Sequence, residues 1–316
     1  MIPWLLVGLG LVVLLGAGDA LVRGAVNLSL RAGIPALIVS LTIVAFGTSA
    51  PELLISIKAV IDNHPGLALG NVVGSNTANI LMVLGIPAIL SSLHTSECET
   101  KKSYVCMLGA TVLFIGLCFV GVLTVWSGLL MLAVLALVLA DQFRDARAHR
   151  RAGASAADDE LPEEADPNMP YWRIVMFLAI GLIGLPLGAN LLVDNATVIA
   201  RTYGISETVI GLTLVAVGTS LPELATTVVA ALKKQADVAI GNVIGSNLFN
   251  LLAIIGVATF FGRIPVDPEF LRFDLWVMLA AALLLIPFVF LNRNITRLWG
   301  VIFSALYVVY LVAVLA

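Results

Sequence analysis

The chain has 316 residues, of which 60% are hydrophobic and only 12% carry a charge, and its mean hydropathy is +1.06. Because about a quarter of the residues in soluble domains are charged, this composition excludes an ordinary soluble protein and indicates one that lies in a bilayer. The formal net charge of −3 offers no basic field for nucleic acid. The cysteines Cys98, Cys106 and Cys118 lack the paired spacing of a metal site, and we interpret them as core filler.

Apolar intervals in chain order predict the membrane spans, since a helix needs about 20 apolar residues to cross the hydrocarbon core. The first interval lacks the basic start of a signal peptide and is expected to be a retained helix. The intervals are 2–18, 31–58, 64–97, two joined by a tight turn within 103–140, 174–193, 208–232, 238–262, 275–292 and 298–316. The predicted fold is therefore an all-α polytopic membrane protein with ten transmembrane helices.

A hydrophilic segment divides the ten spans into two sets of five. It begins with four arginines, continues with a run of Asp and Glu, and is otherwise rich in Ala, Gly, Ser and Pro. We interpret it as a solvated linker, although its acidic run also leaves open a regulatory cation site. The expected organisation is a first five-helix unit at 1–140, a linker at 141–170 and a second five-helix unit at 171–316.

The loop charges predict the orientation in the membrane. If the linker lies on one side, that side collects 13 of the 17 Lys and Arg residues. Because positive charge favours the cytoplasm, the linker is expected to be cytoplasmic and both termini outside. The predicted location is the inner (plasma) membrane.

An internal repeat relates the two sets of spans at a constant offset of 171 residues. Residues Ala45–Leu53 align with Ala216–Leu224, and Gly70–Asn79 align with Gly241–Asn250. An odd number of spans in each half requires that the second half enters the membrane upside down. The two copies of each block are then expected to meet near the midplane, as in many secondary transporters.

Two carboxylates, Glu52 and Glu223, occupy equivalent places inside otherwise uncharged spans. An ionisable residue within the membrane is costly and is a functional candidate by default. Pro51 and Pro222 precede them, and each should break its helix and free the carbonyl four residues earlier. Such carbonyls are tolerated at membrane depth where they line a cavity or hold a ligand.

Further oxygen-bearing side chains share one helix face with each carboxylate or recur every four residues in the next span. They comprise Thr48 and Ser49 beside Glu52, Thr219 and Ser220 beside Glu223, and the stripes Asn71, Ser75, Asn79 and Asn242, Ser246, Asn250. We expect Ser75, Asn79, Ser246 and Asn250 to bind a ligand, whereas small-residue packing with amide hydrogen bonds accounts for the glycines, Asn71, Asn76, Asn242 and Asn247. Asp19, Thr42 and Thr213 either line a pathway or hydrogen-bond within the bundle.

A site of two carboxylates, hydroxyls, amide oxygens and carbonyls, without His or Cys, suits a hard cation such as Ca²⁺ or Na⁺. Two negative charges neutralise one Ca²⁺, and monovalent cations or protons can also neutralise them. Competing occupancy would then couple the ions. No cofactor is expected beyond the transported ions.

The double motif Gly-Thr-Ser-x-Pro-Glu with Gly-Asn-x-x-Gly-Ser-Asn resembles the alpha-repeats of the cation/calcium exchanger superfamily, and most closely those of prokaryotic sodium/calcium exchangers. The resemblance implies an antiporter that exports Ca²⁺ against inward Na⁺ by alternating access. It implies that Glu52 and Glu223 bind the two ions alternately. It also implies that the Na⁺ sites are completed by Thr48, Ser49, Ser75, Thr219, Ser220, Ser246 and the carbonyls of Ala45 and Ala216.

Two alternatives remain open at the level of sequence. Some members of the superfamily carry Asp where this chain has Asn250, and in the potassium-dependent branch that Asp is linked to K⁺. Asn250 therefore suits a potassium-independent exchanger, but it is also compatible with a proton/calcium antiporter. An enzyme is not expected, because the span interiors lack the paired aspartates or the Ser–His pair that an intramembrane protease would need. The chain is expected to function as a monomer.

Overall fold

The computed structural model describes residues 2–151, 166, 168–204 and 216–315, and most of them are helical. Seven helices in this part of the chain are long and apolar enough to cross a membrane, and an eighth span is formed if the bent pair 36–48 and 50–61 is counted as one. The chain is thus an all-helical membrane protein, as its composition predicted.

The first half runs from residue 2 to residue 151. Its helices are α1 (Ile2–Ala32), α2 (Ala36–Val39), a π-helical segment (Ser40–Val44), α3 (Ala45–Thr48), α4 (Ala50–Ile61), α5 (Pro65–Ala78), a second π-helical segment (Asn79–Val83), α6 (Gly85–Leu90), a 3₁₀ turn (Thr95–Glu97), α7 (Lys101–Cys118) and α8 (Val125–Arg151). Strand β1 (Val122–Leu123) lies in the tight turn between α7 and α8.

The second half is described from residue 171, with a gap at 205–215. Its helices are α9 (Tyr171–Thr202), α10 (Ala216–Thr219), α11 (Leu221–Leu232), α12 (Ala236–Leu248), a third π-helical segment (Phe249–Ile254), α13 (Ile255–Ala258), α14 (Pro268–Arg272), α15 (Asp274–Leu283), α16 (Ile286–Phe290) and α17 (Arg297–Leu315). Strand β2 (Ile264–Pro265) pairs antiparallel with β1 and so joins the two halves.

Several helices are longer than the charge-free intervals that predicted them. Helix α1 continues past residue 18 to Ala32, and α8 continues past residue 140 to Arg151, so the first part of the expected linker is helical. Lys102 holds the extension of α8 through contacts of 2.7 Å to Asp141 and 2.6 Å to Asp145. Residues 152–165 and 167 of the expected linker lie outside the described part, as does Thr213.

The repeat is visible in the backbone. Each residue with a positive φ in the described part has a counterpart 171 positions away. The three pairs are Gly33 (φ 66°) with Gly204 (75°), Asn63 (62°) with Lys234 (57°), and Gly121 (87°) with Asn292 (49°). The two halves therefore share their turns even where the residues differ.

Equivalent helices α1 and α9 pack against each other along their length and run antiparallel. A Cβ atom on Gly10 would lie 2.8 Å from the Leu192 nitrogen, and one on Gly181 would lie 2.9 Å from the Leu21 nitrogen. These two contacts are the same contact under the 171-residue offset. The close approach depends on small residues, as in other membrane helix pairs.

The centre of the molecule is formed by α5 to α6 and by α12 to α13 with their π-helical segments. Most residues of these helices are buried inside the protein, whereas α1, α8, α9 and α17 turn large apolar side chains outward. The span predicted at 275–292 corresponds to α15 and α16, which form one apolar stretch over Asp274–Phe290 interrupted at Leu284 and Leu285. Pro287 in the first turn of α16 lacks the N–H that an uninterrupted helix would need.

Candidate cation site

Two helix breaks lie at the centre of the site. Ser49 (φ −85°, ψ 3°) separates α3 from α4, and Ser220 (φ −88°, ψ 4°) separates α10 from α11 in nearly the same conformation. Pro51 and Pro222 are the second residues of α4 and α11, so the predicted breaks are present two residues before each proline. The helix axis bends by 43° at Ser49. Each proline also leaves the carbonyl four residues earlier without its helical donor.

Glu52 and Glu223 follow the breaks directly, in the first turns of α4 and α11. Each is only 1% exposed, and the two are close enough for their charges to interact. Neither makes an ion pair within the described residues. A helix N-terminus favours a carboxylate, but two interacting carboxylates that are buried without a basic partner call for a cation.

Buried polar atoms without a hydrogen-bond partner concentrate at this site. Such atoms cost roughly 1–3 kcal/mol each, more when charged, so they are rare without a reason. In the described part they are Glu52 Oε2, Glu223 Oε2, Ser220 Oγ, Ser246 Oγ, Asn76 Oδ1, Asn79 Oδ1, both side-chain atoms of Asn250 and, elsewhere, Ser304 Oγ. All but the last belong to the repeated blocks, and nearly all are oxygens.

Hydroxyls from both halves surround the carboxylate of Glu223. Ser49 Oγ donates a hydrogen bond of 3.1 Å to Glu223 Oε1, and the hydroxyls of Thr48 and Ser246 lie near the same carboxylate. Thr48 Oγ1 lies 3.3 Å from both the Ala45 carbonyl oxygen and Asn242 Oδ1, so its single proton can be donated to either acceptor. The site is thus built jointly by the two repeats.

The asparagines at the start of each polar stripe hold the break in place. Asn71 Nδ2 donates to the Glu52 carbonyl (3.3 Å) and to Ser56 Oγ (3.1 Å). Asn242 Nδ2 donates to the Glu223 carbonyl (3.4 Å) and to Thr227 Oγ1 (3.2 Å), which is the same arrangement in the second half. These contacts engage the backbone carbonyl of each glutamate and not its carboxylate.

Asn76 and Asn247 join the halves reciprocally. Asn76 Nδ2 donates to the Asn247 carbonyl (3.3 Å), and Asn247 Nδ2 donates to the Asn76 carbonyl (3.4 Å). Asn79 Nδ2 donates to Asn247 Oδ1 (3.0 Å), which leaves Asn79 Oδ1 without a donor. A π-helical segment starts at Asn79, and another starts one residue before Asn250. π-Helical turns frequently mark functional sites.

The other predicted ligands are placed as follows. Ser75 is buried on α5 beside this network. The Ala45 carbonyl accepts from both the Ser49 N–H (3.1 Å) and the Thr48 hydroxyl, so an ion at this oxygen would require the hydroxyl to turn away. Ala216 is the first residue of α10. Of the remaining polar residues, Thr42 bonds within its own helix, to the Ile38 carbonyl at 2.7 Å, and Asp19 forms an ion pair with Lys233.

A cavity of about 540 Å³ leads to one side of the breaks. It lies between the second half of α9 and the segments around both breaks. Its lining includes Pro51, Gly218, Thr219 and Pro222 from the repeated blocks and Asn190, Asp194 and Thr197 from α9. Thr219 is therefore reached from the cavity.

Sequence reasoning did not identify some of the residues that build this region. Ser56 and Thr227 were overlooked although they stand at the 171-residue offset and are both buried polar residues, so the alignment could have found them. Asn190 stands 171 residues after Asp19, but nothing in the sequence marks it, Asp194 or Thr197 as cavity residues, because a cavity depends on how the helices pack.

Comparison with known proteins agrees with this geometry. A model of the family described as sodium/calcium exchanger protein matches residues 2–144 and 173–316. The chain belongs to the sodium/calcium exchanger family.

Relatives of similar length occur in bacteria and archaea. CaxA of Alkalimonas amylolytica, named as an antiporter, is 38% identical over 88% of this chain and 86% of its own. The sodium/calcium exchanger MaX1 of Methanosarcina acetivorans is 33% identical over 98% of both chains. The solved sodium-calcium exchanger NCX_Mj, soaked with Na⁺ and Sr²⁺, superposes with a TM-score of 0.83 at 31% identity, over 99% of this chain and 98% of its own.

The chemistry of the exchanger site follows from its donors. The described residues contain no group of three or more His, Cys, Asp or Glu side chains placed to hold a metal ion. A cation here would depend on two carboxylates and on neutral oxygens. Such a mixture suits Ca²⁺, which takes six to eight oxygens, better than it suits a transition metal.

Proposed function

We propose that this chain is a secondary active antiporter that exchanges Ca²⁺ for Na⁺ across the membrane by alternating access. The observation that carries the proposal is the pair of buried carboxylates, Glu52 and Glu223, with unpaired oxygens around them and no neutralising side chain in the described residues. One Ca²⁺ would cancel both charges. Na⁺ ions would occupy the same carboxylates together with the neutral oxygens, so the two ions would exclude each other.

The proposed ligands are those predicted from the repeat. Besides the glutamates they are Thr48, Ser49, Ser75, Asn79, Thr219, Ser220, Ser246 and Asn250, with the carbonyls of Ala45 and Ala216. The unpaired atoms of Ser220, Ser246, Asn79 and Asn250 support this assignment. The chain needs no cofactor and catalyses no covalent chemistry in this proposal.

The proposed architecture is ten transmembrane helices in two inverted five-helix units with the breaks at the midplane. The antiparallel packing of α1 on α9 and the reciprocal contacts of Asn76 and Asn247 support an inverted relation. We further propose a monomer in the inner membrane, with the linker cytoplasmic and both termini outside, on the strength of the loop charges.

The deciding experiment is ⁴⁵Ca²⁺ uptake into proteoliposomes that contain the purified protein. Vesicles loaded with Na⁺ are compared with K⁺-loaded vesicles and with vesicles that carry only a pH gradient. We expect uptake only with internal Na⁺. Uptake driven by the pH gradient alone would overturn the Na⁺ coupling and make the chain a proton/calcium antiporter, with Asn250 as the residue to re-examine.

A further inference from the structure

We propose that Asp19 and Lys233 form a latch that closes one of the two passages to the cation site and so favours the conformation described here. The inference rests on the proposed alternating access. It concerns which side the site faces, and it assigns to these residues a positioning role rather than contact with the ions.

The latch lies on the side of the molecule where α8 ends and α9 begins, called here the linker side. Asp19 of α1 contacts Lys233, the residue after α11, through a carboxylate–ammonium ion pair. The pair is partly shielded, because the side chains are 44% and 23% exposed. It therefore joins the first helix of one half to the helix of the other half that carries Glu223.

Next to the ion pair, α1 lies directly on α11. A Cβ atom on Gly18 would be 3.2 Å from the Ala225 carbonyl oxygen and 3.4 Å from a methyl group of Val229. Ala225 is only 7% exposed. No gap remains for an ion between these two helices at this level.

The equivalent place on the opposite side is open. The counterparts of Gly18 and Ala225 are Ala189 and Leu54. Ala189 is itself only 5% exposed, but it lines the 540 Å³ cavity, and Leu54 is 68% exposed. Helix α1 packs closely on α11, whereas α9 makes almost no contact with α4.

In an inverted-repeat transporter the opposite state arises when the two halves exchange these arrangements. Helix α9 would then cover α4, and α1 would leave α11. The residues equivalent to Asp19 and Lys233 are Asn190 and Asp62, so the second closure would bring an amide to a carboxylate. The ion pair forms in one state only, and removing it should therefore shift the populations.

The expected shift is modest. A partly exposed ion pair changes an equilibrium by about two- to fivefold. A ligand or contact can shift a two-state equilibrium only by the difference between its interaction free energies in the two states. The population of the rarer state changes by nearly the full factor of about two to five, whereas the population of the commoner state changes by less.

The test measures access in the full-length protein rather than transport. The native cysteines are first replaced by Ala, and a single reporter is introduced as Thr197→Cys in the open cavity or as Val26→Cys, its counterpart on the closed side. Rates of labelling by a small maleimide are measured in proteoliposomes permeable to the reagent. With Asp19→Asn, or separately with Lys233→Gln, we expect the Val26→Cys rate to rise about two- to fivefold and the Thr197→Cys rate to fall.

Two further variants separate a latch from a general loosening of the fold. The charge swap Asp19→Lys with Lys233→Asp should return both rates to those of the parent. Asn190→Asp would place a second acid opposite Asp62 in the other state, so it should lower the Val26→Cys rate. Thermal unfolding in detergent checks that each variant is folded.

Unchanged rates in folded Asp19→Asn and Lys233→Gln, or no recovery in the charge swap, would overturn the latch. Because labelling does not depend on ion coupling, a failure of Na⁺-driven uptake with the expected labelling shifts would overturn the proposed function and leave the latch standing.

Discussion

Glu52 and Glu223 are the residues whose burial in the membrane-spanning part of the chain is energetically most costly. Each is buried beside the other in the first turn of a helix, and no basic side chain in the described residues pairs with either. An arrangement of this kind lowers stability until a cation binds. The site is therefore expected to bind cations strongly, because a bound cation removes the repulsion between the two carboxylates.

Neutralising either carboxylate should weaken Ca²⁺ binding without lowering the stability of the ion-free protein. With Glu52→Gln or Glu223→Gln, we expect Ca²⁺ affinity to fall at least about 100-fold, since truncating a buried charge interaction costs several kcal/mol. Without Ca²⁺ the variants should unfold at the same temperature as the parent or higher, because the repulsion between the two carboxylates is gone. Calorimetric titration and thermal unfolding, each with and without Ca²⁺, measure both effects.

Glu269→Gln is the matched control, because it removes an exposed acid from α14. It should leave Ca²⁺ affinity unchanged. Parental affinity or transport in a folded Glu52→Gln or Glu223→Gln protein would contradict the site assignment.

At the scale of elements, the contact between α1 and α9 depends on individual glycines rather than on glycine content. Gly10 and Gly16 both lie on α1, but only Gly10 faces α9. A Cβ atom there would meet the Leu192 nitrogen at 2.8 Å and the Gly188 carbonyl oxygen at 3.0 Å, whereas one on Gly16 would meet nothing within 4 Å. The two positions therefore form an internal comparison within one helix.

We expect Gly10→Ala to destabilise the protein by about 1–3 kcal/mol, because the backbones of α1 and α9 must separate. Gly16→Ala should be neutral or stabilise the protein by up to about 1 kcal/mol, since alanine favours the helix. Thermal or denaturant unfolding of the two variants in the same detergent makes the comparison. Equal losses at both positions would show that the packing of α1 on α9 does not depend on close approach.

Some features of the helices could be predicted from the sequence, and others could not. The helix breaks at Ser49 and Ser220 were foreseen because proline lacks an N–H, and this local cause acts in any context. The π-helical turns at Asn79 and before Asn250 were not foreseen, since they depend on the packing of neighbouring helices. The extension of α8 to Arg151 was missed because charged residues end an apolar interval without ending a helix, and here Lys102 holds Asp141 and Asp145 in place.

At the scale of the whole molecule, pairing of the two glutamates was predictable from the 171-residue offset, and the structure brings both repeats to one site. The cavity on one side and the close packing of α1 on α11 on the other were not predictable, because the residue types of a repeat do not state how far apart two helices stand. The difference between them lies in how far α1 and α9 stand from their partners. A repeat in sequence therefore predicts two equivalent places beside the site, and the structure shows which of them holds a cavity.

The loop charges give the molecule a predicted direction in the membrane. Ala148 near the end of α8 and Tyr203 after α9 are both exposed at opposite ends of the bundle. In intact cells of a cysteine-free background, we expect Tyr203→Cys to react with an impermeant maleimide and Ala148→Cys to react only after permeabilisation, because the linker side holds most of the Lys and Arg. The reverse pattern would place the linker outside.

The turn at Lys234 carries a cost that its counterpart avoids. Asn63 adopts a left-handed conformation that asparagine tolerates well, whereas Lys234 adopts nearly the same φ with a residue that loses about 1–2 kcal/mol there. The backbone of the second half thus keeps the shape of the first at some local expense. Lys234 stands next to Lys233 and is one of the basic residues on which the predicted orientation depends. If the linker side is cytoplasmic, as the loop charges predict, the second half accepts a strained turn at Lys234 and gains there a positive charge that favours the orientation of the whole chain.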